Sequence, residues 1–338
     1  AIGIREDLVK TNPERFNLDL AMSYNNAGVF YDEQGKPNKA EDYFLKAIGI
    51  REDLVKTNPE RFNLDLASSY NDAGNFYSKQ GKPNKAEDYY LKAIEICEDL
   101  SESNPARFNP HLATSYNNAG AFYKNHGNPQ KAESFYLKAI GIREDLVKTN
   151  LERFNLDLAS SYNNAGVFYD VQGNPTKAED YYLKAIKIRE DLSENNPDRF
   201  NPDLADSYNN AGAFYSDQGN PQKAEEYYLK AIKIREGLVG NNPDRFNPDL
   251  ADSYINAGIF YSNQGNSQKA EDYYLKAIKI REDLAINNAD YPISGLAISY
   301  YNYAALTKNK KYFYMALKTA QLQPNNPYCK EIIDKLKS

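Results

Sequence analysis

The sequence repeats itself every 46 residues without insertion or deletion. The dipeptide Ala-Ile that begins at Ala1 recurs six times at this interval, at Ala47, Ala93, Ala139, Ala185, Ala231 and Ala277. A constant interval means that each repeat makes the same structural step as its neighbour. The sequence therefore predicts a solenoid, where 338 residues would otherwise suggest two or three globular domains.

Each repeat contains two helical patterns joined by turns. In residues 201–220, Asn201 is the predicted cap of the first helix and Pro202 its first residue. Pro221 then begins the second helix, where small and aromatic residues follow at spacings of three and four. The segment NNPDRFNPD between repeats has the composition of a turn, with Phe246 just before the next cap.

A glycine recurs in the middle of the first helix, where it costs about 1 kcal/mol relative to alanine. We interpret it as a point of close approach to a small alanine surface on the second helix. The glycines are Gly28, Gly74, Gly120, Gly166, Gly212 and Gly258, and the alanines are Ala40, Ala86, Ala132, Ala178, Ala224 and Ala270.

One set of aromatic and small residues recurs in every repeat, for example Tyr162, Gly166, Tyr169, Gly173, Ala178, Tyr182 and Ala185. Their order and spacing resemble the tetratricopeptide signature, in the long form of kinesin light chain-like and bacterial arrays. Three features depart from it: Tyr replaces the usual Trp, Ala165 replaces Leu, and the repeat has 46 residues instead of 34. The resemblance implies an all-α, right-handed superhelix of antiparallel helix pairs, which holds a protein or peptide in a groove lined by the first helices.

These patterns predict one solenoid over residues 1–338. Residues 1–16 are assigned to the second helix of an incomplete repeat, 17–292 to six regular repeats, and 293–338 to a degenerate repeat with a C-terminal capping helix. Because Ala1 aligns with the middle of a second helix, we expect the chain to be a fragment or to begin just after a missing segment. Self-association through this uncapped end is one alternative for its function.

The side of the first helix opposite its packing tyrosines contains Met22, Asn25, Asn26, Val29, Asp32 and Glu33 and their equivalents, here called the first-helix stripe. Residues 1–46 and 47–92 differ at only six places, and five are on this stripe. Between residues 185–230 and 231–276, three of eight differences are on it. We interpret this as diversification for a ligand, with chance in small numbers as the alternative.

Asparagine is the constant part of the stripe, although it is a mediocre helix former. Its amide can pair with a peptide backbone in both directions, and kinesin light chain-like arrays, by resemblance, imply a peptide-binding ladder. The alternative is that these amides bridge neighbouring repeats or face water. The predicted ladder is Asn25, Asn26, Asn71, Asn117, Asn118, Asn163, Asn164, Asn209, Asn210 and Asn256, with Asp72 in one place.

The stripe is also acidic, with a net charge of −5 where the whole chain has −6. This predicts a protein or peptide partner with Lys or Arg near its ends, and it disfavours nucleic acid and membrane surfaces. Besides Glu33 and Asp72, the charged residues of the stripe are Asp32, Lys79, Lys124, Asp170, Asp206, Asp217 and Asp252.

No pattern predicts catalysis, a cofactor or a metal site. The two histidines, His111 and His126, are assigned to a helix start and a turn, and the sequence has no phosphate loop or paired cysteine ligands. The repeated Arg-Glu-Asp of the second helix, as at Arg189, is assigned to solvated faces and ion pairs between repeats. Cys97 and Cys329 are too few for a disulfide framework, which predicts a reducing, cytoplasmic location.

The leading hypothesis is therefore a non-enzymatic module that binds a protein or peptide. The first alternative is the sensor arm of a larger signalling, protease or ATPase protein. The second is an RNA-binding helical repeat, which would need basic and stacking residues on the stripe.

Overall fold

The computed structural model describes residues 2–288, 291–324 and 326–337, and every regular element in these residues is an α-helix. The described helices are α1 (Ile2–Thr11), α2 (Pro13–Glu33), α3 (Pro37–Thr57), α4 (Pro59–Lys79), α5 (Pro83–Ser103), α6 (Pro105–Asn125), α7 (Pro129–Thr149), α8 (Leu151–Val171), α9 (Pro175–Asn195), α10 (Pro197–Asp217), α11 (Pro221–Asn241), α12 (Pro243–Asn263), α13 (Ser267–Asn287), α14 (Ser294–Thr307), α15 (Lys310–Ala320) and α16 (Pro327–Lys337). Even-numbered helices from α2 to α14 are the first helices of repeats.

The chain forms two compact units, residues 1–168 and 169–338, and helix α8 contains the boundary. In the first unit each helix from α1 to α6 packs on the next along the chain. In the second unit α9 to α16 do the same, and α16 also packs on α14. Packing between consecutive helices, as seen in the described residues, is the arrangement of an all-α repeat solenoid.

The first helices begin five residues earlier than the sequence analysis predicted. Asn196 caps α10 by accepting a hydrogen bond from the backbone N–H of Arg199 at 3.2 Å, and Pro197 is the first helical residue. The predicted cap was wrong, because Asn201 lies inside the helix and accepts a hydrogen bond from Ser193 on α9. Pro202 also lies inside the helix.

The predicted interrepeat turn is consequently helix over most of its length. Only Asn242 separates α11 from α12, and both helices have 21 residues. The residues beyond the usual tetratricopeptide length therefore extend both helices of the pair and leave a one-residue connection. The second-helix start at Pro221 is confirmed, and it follows Gly219, whose φ of +69° is the left-handed conformation that glycine adopts without strain.

The glycine within the first helix faces an aromatic ring of the second helix, and the alanines of the predicted small surface on that helix are fully buried. A Cβ atom on Gly120 would lie 2.9 Å from the nearest ring carbon of Tyr136 on α7. Gly28 has the same relationship to Phe44, at 2.8 Å. The ring lies against the helix backbone, so the glycine makes room for an aromatic side chain between the two helices.

Candidate ligand-binding surface

The first-helix stripe presents exposed side chains in both units. In the first unit Met22 is 45% exposed and Val29 39%, and in the second unit Ile259 is 41% exposed. The packing side of the same helices is closed, since Tyr24 and Tyr254 are each only 7% exposed. The stripe therefore offers variable side chains to solvent, as the sequence analysis predicted from their spacing.

The asparagines of the stripe divide into two structural groups. The first residue of each Asn-Asn pair points toward the next repeat. Asn25 is buried and donates from Nδ2 to Oδ2 of Asp72 at 2.7 Å, while the hydroxyl of Ser69 donates to Asn25 Oδ1 at 3.3 Å. Asn25 is thus held on both sides of its amide by the following repeat.

The same bridge recurs along both units. Asn71 donates to the hydroxyl of Ser115 at 2.9 Å, and Asn209 donates to that of Ser253 at 2.9 Å. Asn164 donates to Oδ1 of Asn117 at 3.2 Å. These amides form hydrogen bonds between repeats, which was the alternative to the peptide ladder in the sequence analysis.

In the pairs Asn25-Asn26 and Asn209-Asn210 the second residue lies nearer to solvent than the first. Asn26 is exposed, and Asn118 and Asn256 are half-buried. Asn210 is also half-buried, and so are both residues of the pair Asn163-Asn164. The spacing of the pattern located the stripe, but it did not distinguish the bridging asparagine from its solvent-facing neighbour.

A buried arginine from the second helix lies beneath the stripe. Arg235 donates from Nη1 to the hydroxyl of Ser253 at 2.5 Å and to the backbone carbonyl of Asp249 at 2.7 Å. Its Nη2 forms an ion pair with Asp206 of the stripe. The assignment of the Arg-Glu-Asp arginine to a solvated face was wrong, because Arg189, Arg235 and Arg281 are all buried.

The stripe residue that contacts this arginine differs from repeat to repeat. Arg281 forms an ion pair with Asp252, whereas Arg143 donates from Nη2 to the hydroxyl of Thr114 at 3.2 Å. Burial lowers the pKa of Arg143, and the nearby Asp157 opposes that effect. Cys97 takes the arginine position in one repeat, with its sulfur 3.6 Å from the hydroxyl of Ser115. Sequence reasoning missed the contact between the buried arginine and the serine. A usable signal was present, because an arginine is followed 18 residues later by a serine in most repeats.

The glutamate of Arg-Glu-Asp also has an interrepeat role. Glu190 accepts a hydrogen bond from the hydroxyl of Tyr208 at 2.5 Å, and Glu236 accepts one from Tyr254 at 2.7 Å. Burial, followed by this hydrogen bond to a carboxylate, raises the pKa of both tyrosines. The repeated tyrosines therefore combine packing with a specific polar contact between helices.

Four of the seven acids of the stripe form an ion pair or a hydrogen bond within the protein. Asp32 forms an ion pair with Lys79, whose Nζ lies 3.1 Å from Oδ2 of Asp32. Asp206 and Asp252 pair with buried arginines, and Asp72 accepts from Asn25. Among the described residues, the acids of the stripe without an ion pair or hydrogen bond are Glu33, Asp170 and Asp217.

Two charged residues of the stripe are perturbed by their surroundings. Burial lowers the pKa of Lys124 in the first unit. In the second unit, burial and then the charge of Asp217 raise the pKa of Asp170. The charge environment of the stripe therefore differs from one repeat to another.

The histidines and cysteines do not assemble a reactive site in the described part of the chain. His111 lies inside α6 and not at a helix start, and His126 Nδ1 is 2.9 Å from the carbonyl oxygen of Phe122. Cys97 and Cys329 are separate buried thiols. Within residues 2–288, 291–324 and 326–337, no three His, Cys, Asp or Glu side chains are grouped to hold a metal. In the same residues, no helix is long and apolar enough to cross a membrane.

Sequence comparison finds one family along the chain. Profiles described as tetratricopeptide repeat match residues 20–60, 65–145, 157–237 and 203–283. No curated protein matches the sequence.

Similar solved structures have the same kind of fold. BtubC (BKLC) from P. vanneervenii has a TM-score of 0.58 at 24% identity, over 72% of this chain and 90% of that one. A signal transduction ATPase with numerous domains and a tetratricopeptide repeat sensor, from Pyrococcus horikoshii, has a TM-score of 0.57 at 19% identity, over 98% of this chain and 47% of that one. A putative kinesin light chain from Podosopora anserina with nearly identical repeats has a TM-score of 0.51 at 16% identity, over 66% of this chain and 98% of that one.

Proposed function

Because the chain belongs to the tetratricopeptide repeat family, we propose that it is a protein-interaction module that binds an extended segment of a partner along its first-helix stripe. The observation behind this proposal is a contrast within the repeats. Residues 1–46 and 47–92 keep the contacts between helices but exchange five residues of the stripe. A surface that changes while its support stays constant is what a ligand-specific face requires.

In this proposal the two groups of asparagines have different roles. Asn25, Asn71, Asn117 and Asn209 hold adjacent first helices together through bonds between repeats. The exposed amide of Asn26 and the half-buried amides of Asn118 and Asn256 then offer one donor group and one acceptor each to a peptide backbone. The bridging amides thus fix the spacing of the contacting amides, which lowers the cost of ordering the surface on binding.

The partner proposed here is a polypeptide with both charge signs. The first unit offers the half-buried Lys124, and the second unit offers Asp170 and Asp217. Base stacking and phosphate neutralisation would need several exposed aromatic and basic side chains along the stripe. The stripe instead has mainly Asn, Asp, Ser and aliphatic residues, and its basic residues are Lys79 and Lys124. The module is proposed to act by binding, with no catalytic residue of its own.

Affinity capture with matched variants tests this proposal. One variant combines Asn26→Ala, Asn118→Ala and Asn256→Ala on the stripe. Its control combines Gln130→Ala, Gln222→Ala and Gln268→Ala, three exposed amides at the start of second helices. We expect the stripe variant to lose a partner that the wild type and the control both retain, with equal helicity by circular dichroism. Equal recovery of the partner by all three proteins would contradict binding along the stripe.

A sensor arm within a larger protein is a second proposal. Almost the whole chain aligns with less than half of the multidomain ATPase from Pyrococcus horikoshii, whose description includes a tetratricopeptide sensor. Reading the complete gene would decide this point, since an ATPase, protease or kinase domain in the same reading frame would make the array a regulator.

A further inference from the structure

The charge of the chain changes sign within the second unit. Residues 291–330 contain five lysines and no aspartate, glutamate or arginine, so this segment carries +5. The whole chain has −6, and its remaining residues therefore carry −11. The expectation against membrane partners used the charge of the whole chain and of the first-helix stripe, and neither shows this local reversal. The five lysines, all exposed, are Lys308, Lys310, Lys311, Lys318 and Lys330.

The reversal affects a defined position of the second helix. Tyr312 of α15 packs on the ring of Tyr300 with centroids 5.8 Å apart, and the same ring contact identifies Tyr273 as its counterpart in α13. In five of the six second helices from α3 to α13, two acids precede the aromatic residue at this position. In α15 the two preceding residues are Lys310 and Lys311.

Lysines of the regular second helices are neutralised by acids of the same helix. Lys46 forms an ion pair with Asp42 at 2.8 Å, and Lys276 forms one with Asp272 at 2.7 Å. Within the part of the chain that the structure describes, none of the five lysines of residues 291–330 forms an ion pair. A surface that has only to be soluble does well with both signs interspersed. A folded segment with lysines alone indicates an anionic partner.

Three of these lysines share one exposed face of α15 with a tyrosine. Lys310, Tyr314 and Lys318 follow one another at intervals of four residues and therefore lie in one row of the helix surface. Lys311, three residues before Tyr314, lies beside this row. Tyr314 is 65% exposed and stands where the six regular second helices have a leucine. Leu322, two residues after α15 ends, is 71% exposed. The four helical residues are here called the α15 face.

We propose that the α15 face docks on the surface of an anionic phospholipid bilayer. Beside such a surface each lysine strengthens binding about fivefold, whereas exposed pairs with single carboxylates of a polypeptide often contribute nothing measurable. Tyrosine is favoured at the boundary between headgroups and hydrocarbon, and Leu322 places an apolar side chain at the end of the same helix. This docking does not depend on the first-helix stripe.

A nucleic acid fits the same face less well. Phosphate recognition in proteins favours arginine, whose planar group binds two oxygens at once, and residues 291–330 contain no arginine. A nucleic acid would also leave Leu322 in water, whereas a bilayer can accept it.

Vesicle sedimentation tests the role of the lysines. The probes are vesicles of phosphatidylcholine alone and of phosphatidylcholine with about 30% phosphatidylserine. We expect the full chain to bind the anionic vesicles at least about tenfold more tightly than the neutral ones, and to be released by about 0.5 M NaCl. A variant with Lys310→Gln, Lys311→Gln and Lys318→Gln should bind the anionic vesicles about 30-fold more weakly.

The matched control removes three exposed lysines that have ion pairs in the first unit, so the net charge of the chain changes by the same amount. It combines Lys10→Gln, Lys56→Gln and Lys148→Gln. We expect this control to bind anionic vesicles as tightly as the wild type, with equal helicity of all three proteins by circular dichroism. Wild-type protein that bound neither vesicle or both equally, or an equal loss in the two triple variants, would contradict the proposal.

Tryptophan fluorescence tests which surface meets the bilayer. The chain has no tryptophan, so Tyr314→Trp places a single reporter on the α15 face. We expect its emission to shift to shorter wavelength when anionic vesicles are added, because the indole leaves water. Leu91→Trp, at the equivalent position of α5, is the control and should keep its emission. An unchanged spectrum for Tyr314→Trp, or the same shift in both variants, would overturn docking through this face.

Competition separates the bilayer from other anionic partners. The competitors are polyglutamate and a duplex DNA oligonucleotide at the same ionic strength. We expect the wild type to bind the anionic vesicles more tightly than either polymer. Tighter binding to one of these polymers would assign the α15 face to that class of partner, and the bilayer proposal would be wrong.

Discussion

Asn209 donates a hydrogen bond to the hydroxyl of Ser253 in the next repeat, over 2.9 Å. Asn209 is buried, so Asn209→Ala would remove a hydrogen bond between repeats and leave a small cavity in a closed interface. We expect this variant to lose about 1–2 kcal/mol of unfolding free energy. Urea unfolding followed by circular dichroism would measure the loss.

The control for this first prediction is Asn256→Ala, which removes a half-buried amide of the second group. We expect Asn256→Ala to change stability by less than about 0.5 kcal/mol. Equal destabilisation by the two substitutions would argue against a structural difference between the paired asparagines.

Ser253 should contribute more to stability than the equivalent Ser115. Ser253 receives hydrogen bonds from Asn209 and from the buried Arg235, whereas Ser115 has Asn71 and a weak thiol contact with Cys97. Ser253→Ala therefore leaves a buried guanidinium group short of an acceptor. We expect a loss of about 2–3 kcal/mol for Ser253→Ala and about 1 kcal/mol for Ser115→Ala. Denaturant midpoints of the two variants would show the difference, and the reverse order would refute it.

The substitution of glycine by alanine should have opposite effects on stability at two helix positions. A Cβ on Gly258 would lie 2.5 Å from a ring carbon of Tyr274, so Gly258→Ala must displace a buried ring. We expect a loss of about 1–3 kcal/mol. A Cβ on Gly237 would meet nothing within 4 Å, so Gly237→Ala should stabilise its helix by about 1 kcal/mol. Melting temperatures would test the signs, and stabilisation by both substitutions would exclude the proposed ring contact.

Asp72 should make stability depend on pH in an unusual direction. Burial raises its pKa above the ordinary 3.8, and the bond from Asn25 and the charge of Arg51 only partly oppose this effect. For an acid with a raised folded-state pKa, the penalty is absent below the unfolded value and grows as pH rises through the folded value. Asp72→Asn should therefore be more stable than the wild type at pH 7, with a difference that closes as pH falls toward 3.8.

Urea unfolding of wild type and Asp72→Asn at pH 7, 5 and 4 would measure this difference. Asp99→Asn, on an exposed part of α5, is the control. A difference between wild type and Asp72→Asn that widened toward acid pH would show that the carboxylate is favourable in the folded state.

The sequence predicted those parts of the fold that depend on local chemistry. Pro221 after a glycine turn marked the second helix, and the constant period implied one repeated interface. The start of the first helix was misplaced because the segment NNPDRFNPD contains two Asn-Pro pairs, and both are chemically able to cap a helix. Only the contact between Asn201 and Ser193 shows which pair is inside the helix.

The polar interior of the interface could not be derived from composition. Arg281 stands in the charged triplet Arg-Glu-Asp, which resembles a solvated face, and its partner Ser299 is on another helix. Similarly, Asn25 and Asn26 are only about 100° apart around the helix, too close for periodicity to separate a bridging amide from a solvent-facing one. Both distinctions depend on how the following repeat packs, which a single repeat does not encode.

The fixed spacing between Arg235 and Ser253 bears on how such an array evolves. Ser299 stands 46 residues after Ser253, so removal of residues 236–281 would place it 18 residues after Arg235, where Ser253 now stands. Ser299 would also lie at the distance along the chain from Asn209 that Ser253 now has. Recombination in whole multiples of 46 residues can thus lengthen or shorten the ligand surface in one genetic event, with every junction already compatible with its new neighbour. A shift of any other length would place a buried guanidinium group opposite the wrong side chain, so natural selection would retain only variants that differ by complete repeats.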